Sequence, residues 1–67
     1  MWRLVSLDPF TEEFTCVTYD NIDDLEKRYR RGDLNILLTE YFSADTHEEL
    51  DMLEMEAKEE LVKKIKL

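Results

Sequence analysis

Leu34-Asn35-Ile36-Leu37-Leu38-Thr39-Glu40-Tyr41-Phe42 carries two periodicities at once. Leu34, Ile36, Leu38 and Phe42 fall on one side of an extended chain, whereas Leu34, Leu37, Leu38 and Tyr41 fall on one side of a helix. The run is short and apolar on both faces apart from its ends. It is also bounded by Gly32-Asp33 and Ser43-Ala44-Asp45, which are turn-forming residues. These features favour a strand over residues 35–42.

Working towards the beginning of the chain, Asp20 or Asn21 can cap a helix with a side-chain oxygen, and Asp23, Asp24 and Glu26 sit in its first turns. Gly32 can take the left-handed stop, so the pattern predicts a helix over about 22–31. Its buried stripe would be Ile22, Leu25 and Tyr29. Before it, Trp2 to Leu7 and Phe14 to Tyr19 are rich in aromatic and β-branched residues and flank a turn-favouring Asp8-Pro9. They read as a β-hairpin. In its second strand Phe14, Cys16 and Thr18 share one face, and Thr15, Val17 and Tyr19 the other.

Towards the other end, Thr46 and Glu49 form a capping-box pattern, which starts a helix of about twenty residues near His47. Acids open this helix and Lys63, Lys64 and Lys66 close it, as the helix dipole favours. Glu54-Lys58, Glu59-Lys63 and Glu60-Lys64 have the i, i+4 spacing of supporting ion pairs. The expected fold is therefore α+β: a single ββαβα domain over residues 1–67, with a three-stranded sheet carrying two helices on one face and a long acidic C-terminal helix. A right-handed crossover through the first helix would set the third strand parallel to the second, beside the first.

The chain has 67 residues, 43% of them apolar, and seven aromatics. That is too apolar for a disordered chain, yet the core must be small and its stability marginal. With Cys16 as the only cysteine, no internal disulfide forms and the multi-cysteine zinc patterns are absent. A reducing, cytoplasmic setting is the expectation. No apolar run approaches the roughly 20 residues of a membrane span. A net charge of -8 and a sequence pI near 4.5 argue against direct nucleic-acid or anionic-lipid binding.

His47 lies among Asp45, Glu48 and Asp51, but a zinc site recruits three or four ligands, usually several of them His or Cys. No metal or other cofactor is expected. Cys16 reads as a small core side chain, because no base is placed to activate it. Gly32 is the sole glycine, so no glycine-rich phosphate loop can form, and no enzyme is expected. The basic run Lys27-Arg28-Tyr29-Arg30-Arg31 is balanced by Asp23, Asp24 and Glu26 one helical turn earlier.

Charge is concentrated late in the chain: Asp45 to Glu60 holds eight acids against Lys58 alone. As a helix, those sixteen residues carry one carboxylate per about 3 Å of axis. One strand of duplex DNA carries one phosphate per about 3.4 Å. Met52, Met55 and Val62 lie off the buried stripe of Leu50, Leu53, Ala57, Leu61 and Ile65, on the side that bears Glu48 and Glu59. Exposed apolar side chains along one line suggest contact with another chain. The expectation is a small acidic protein-binding module with a basic protein partner, one that acts on nucleic acid. Its partner-binding residues would be Glu48, Asp51, Met52, Met55, Glu56, Glu59 and Val62. In size and charge the chain is similar to some phage-encoded inhibitors, a likeness that no motif carries. The alternative is a homodimer or accessory subunit paired through the C-terminal helix.

Overall fold

The computed structural model describes residues 1–30 and 38–66, with the side chain of Arg30 outside that set. It contains β1 (Trp2–Leu7), β2 (Phe14–Tyr19), α1 (Ile22–Arg30), β3 (Thr39–Ser43) and α2 (His47–Lys66). This is the expected α+β fold in ββαβα order. The three strands form one antiparallel sheet in the order β2-β1-β3. Of the expected third strand, residues 39–42 are extended, Leu38 instead lies in a 3-10 turn, and residues 35–37 lie outside the described set, as does Gly32.

β1 takes the centre because its side chains require cover on both faces: Arg3, Leu4, Val5 and Leu7 are all buried. Both edge strands run antiparallel to it, so β2 and β3 point the same way, with β3 beside β1 as expected. Directly opposed residues share a face. Arg3, Val5 and Leu7 therefore lie with Phe14, Cys16, Thr18, Glu40 and Phe42, while Leu4 lies with Val17 and Tyr41.

α2 covers the first of these faces. Its Leu61 joins Val5, Leu7 and Leu38 in the core, with Phe14, Phe42, Val62 and Ile65 packed around them. Across the sheet, Tyr29 of α1 meets Tyr41 edge-on at 5.8 Å, and Tyr41 also contacts Trp2 at 6.2 Å. Leu25, one helical turn before Tyr29 and so on the same side of α1, is buried, and Leu4 needs a cover on that side of the sheet. The helices thus occupy opposite faces, which corrects the expectation of two helices on one face. A central strand buried on both faces cannot be covered from one.

Local chemistry sets the element boundaries. The backbone N–H of Asp24 donates to Asn21 Oδ1 (3.0 Å), so Asn21 is the cap of α1. The N–H of Glu49 donates to Thr46 Oγ1 (3.2 Å) at the start of α2. In the hairpin loop, Asp8 Oδ1 accepts from the N–H groups of Phe10 (2.8 Å) and Thr11 (3.3 Å). Glu12 there has φ of 60°, a left-handed conformation that disfavours a side chain bearing Cβ. Glu12→Gly is expected to raise stability by about 0.5 kcal/mol, relief of strain outweighing the extra freedom of the unfolded chain. A fall in the urea midpoint would contradict this.

Candidate functional site

α2 presents two chemically different sides. Towards the sheet, Leu50, Ala57 and Leu61 are buried, and Leu53 and Ile65 are half-buried. Arg3 is buried between β1 and this helix, and its guanidinium organises the polar part of the contact. Its Nη1 donates to Asp51 Oδ1 (2.7 Å) and Glu54 Oε1 (3.2 Å), and its Nε donates to Thr18 Oγ1 (3.1 Å). The hydrogen bond with Asp51, reinforced by the charges of Glu54 and Asp51, holds the guanidinium above its usual pKa against the opposing effect of burial. Lys58 bridges to the other oxygen of Glu54 (3.2 Å) and sits over the Phe14 ring at 5.3 Å. Cys16, expected in the core, is instead exposed beside this cluster, and partial desolvation followed by the nearby Glu54 carboxylate pushes its thiol pKa up, opposed by Lys58. A raised thiol pKa means less thiolate at neutral pH, the opposite of what a nucleophile requires.

Of the expected i, i+4 pairs on α2, Glu54–Lys58 forms. Lys63 instead reaches Glu60 (3.5 Å), and Lys64 reaches across to Glu40 on β3 (3.6 Å).

The outward side holds most of the expected partner-binding residues. Glu48, Glu56 and Glu59 are exposed, and among the described residues none of them makes an ion pair. Met52 and Met55 are each 67% exposed. On a helical wheel these five residues span about 100°. Glu48 and Glu59 are about 16 Å apart along the axis.

Two expected residues sit differently. Asp51 is drawn to Arg3, although its side chain remains 72% exposed. Val62 packs against the core. It also lines a shallow groove of about 380 Å³ with Phe14, Lys58, Glu59, Lys63 and Lys66. The sequence reading missed Arg3. The available signal was its alternation with Val5 and Leu7, which sets a charge on a face that must be buried and so demands an anionic partner.

Among the described residues, no group of three or more His, Cys, Asp and Glu side chains is placed to hold a metal ion. No described helix is long and apolar enough to cross a membrane. No family model, curated protein or solved structure matches the chain.

Proposed function

We propose that this chain is a small protein-binding module that works without catalysis, and that the outward side of α2 is its working surface. Glu48, Glu56 and Glu59 would meet a basic surface while Met52 and Met55 supply apolar contact at the centre of the patch. The observation that carries this reading is the conjunction of two methionines 67% exposed with three carboxylates that have no ion-pair partner among the described residues. Carboxylates already neutralised within the fold would have little to offer a partner. Methionine suits a binding surface because its flexible, polarisable side chain adapts to the opposing shape.

The charge spacing along the helix favours a partner whose basic surface ordinarily holds nucleic acid. The chain would then act as an inhibitor or regulator by occupying that surface. Asp51 contributes field rather than direct contact, because Arg3 already engages it.

The test is capture from the native host across a salt series, followed by competition with duplex DNA. A basic partner should be retained at low salt, released at moderate salt and displaced by the duplex, since exposed charges are screened over about 8 to 10 Å. Glu48→Lys, Glu56→Lys and Glu59→Lys together should abolish retention. A partner that survives high salt and ignores this triple reversal would refute the charge-based reading.

A further inference from the structure

The backbone phase of β2 follows from hydrogen bonds at the sheet ends. The Asp8 N–H donates to Glu13 O (3.0 Å), and Met1 and Ala44 exchange bonds in both directions (3.2 and 3.1 Å). Bonded and non-bonded pairs alternate along an antiparallel ladder. Trp2, Leu4 and Ser6 therefore turn their backbone groups to β2, where Tyr19, Val17 and Thr15 oppose them. The amides and carbonyls of Phe14, Cys16 and Thr18 consequently point away from β1. β2 is at the end of the strand order, so these six groups line an open edge among the described residues.

That edge lacks the usual protection. Sheets blunt their edges with charge, proline or bulges. β2 reads Phe-Thr-Cys-Val-Thr-Tyr, without charge, proline or glycine, and its four central residues are exposed on both faces. In a chain of net charge -8, it is a neutral strip along which a second copy can approach.

We propose that β2 pairs antiparallel with β2 of a second copy, about a two-fold axis through Cys16, joining the sheets into one of six strands. A two-fold axis normal to the sheet keeps like faces together, so Cys16 opposes Cys16, Phe14 opposes Thr18 and Thr15 opposes Val17. This register satisfies all six outward groups on each copy. Moving the axis to Val17 sets Phe14 opposite Asp20, and moving it to Thr15 sets Thr18 opposite Glu12, both beyond the strand. Because the same edge serves both partners, the contact closes at two copies.

Two consequences follow from the geometry. Glu13 comes close to the partner's Asp20 end, so added salt strengthens the dimer, opposite in sign to its effect on an acidic-face partner. The two α2 helices, packed over β1 and β3, lie on the same side of the joined sheet, at least three strand spacings or about 14 Å apart, with their acidic sides outward. This dimer is independent of what α2 binds, and its failure leaves that reading intact.

The experiment combines light scattering, amide exchange and disulfide trapping on the whole chain. Mass should double between low-micromolar and near-millimolar concentration. In the concentrated sample alone, the amides of Phe14, Cys16 and Thr18 should slow by roughly tenfold or more, while those of Thr15, Val17 and Tyr19 are already protected. Mild oxidation should link Cys16 to its mate, since bonded pairs bring Cα atoms to about 5.5 Å, within disulfide reach. The double substitution Cys16→Ser, Thr18→Cys should link far less. Thr15→Lys with Val17→Lys, both at exposed positions, should keep the chain monomeric. A monomer at every concentration would overturn the proposal. So would a dimer whose three edge amides stay unprotected, or equal trapping at positions 16 and 18.

Discussion

Replacing Arg3 with methionine is expected to lower the free energy of unfolding by about 2 to 3 kcal/mol, a large share of what a domain of this size has. The side chain of Arg3 is only 10% exposed, and a single nitrogen serves both Asp51 and Glu54. Methionine preserves much of the buried stem and removes the charge. Glu54, 21% exposed, then keeps Lys58 as its one cationic partner among the described residues. A partly buried carboxylate that loses one of its two cations is destabilised, because its desolvation is less fully offset. Asp51 moderates the loss, since at 72% exposure water replaces much of what Arg3 supplied.

The same reasoning orders the neighbouring substitutions. Glu54→Gln should cost about 1 kcal/mol and Asp51→Asn less, since exposed pairs contribute little. Arg3→Lys should fall between Asp51→Asn and Arg3→Met, because an ammonium on a flexible stem cannot reproduce the planar set of bonds to Thr18, Asp51 and Glu54. Urea unfolding of the four variants checks the order. If Arg3→Met unfolds at the wild-type midpoint, the cluster is a surface ornament rather than the join between α2 and the sheet.

The cluster also marks where the sequence was readable and where it was not. Local signals fixed α2 from His47 to Lys66, because a capping threonine, acids in the first turn and lysines in the last all act within a few residues of where they stand. The hairpin strands were equally legible, because their alternation is a property of each strand alone. The strand order followed from the hairpin and the crossover, with β3 beside β1, but the face that each helix takes was not legible. That α1 and α2 take opposite faces depends on β1 being buried on both sides, and no local signal says which helix covers which side. Arg3 carried a hint of this, as a charge in phase with Val5 and Leu7. Its carboxylates lie some fifty residues away, and no local periodicity reaches so far. For the candidate site, helical geometry correctly set Met52 and Met55 outward. It could not foresee that Asp51 would turn to Arg3 or that Val62 would be recruited by the core.

Leu61→Ala should cost about 3 to 4 kcal/mol, whereas Met52→Ala and Met55→Ala should each cost no more than about 0.5 kcal/mol, although all three remove a large apolar side chain from the same helix. Leu61 is fully buried among Val5, Leu7 and Leu38, so truncation forfeits its transfer energy and leaves a cavity. In so small a core few other side chains are available to collapse into the gap, and such a loss brings the domain close to unfolding at ordinary temperature. The methionines already face water over two thirds of their surface, so little is lost, and alanine's higher helix propensity returns part of that. Thermal and urea unfolding measure both effects. The contrast separates what holds α2 down from what α2 presents. If the methionine variants destabilise the chain by more than about 1 kcal/mol each, those side chains belong to the packing of the fold. The outward side of α2 would then lose the apolar half of its claim to a partner.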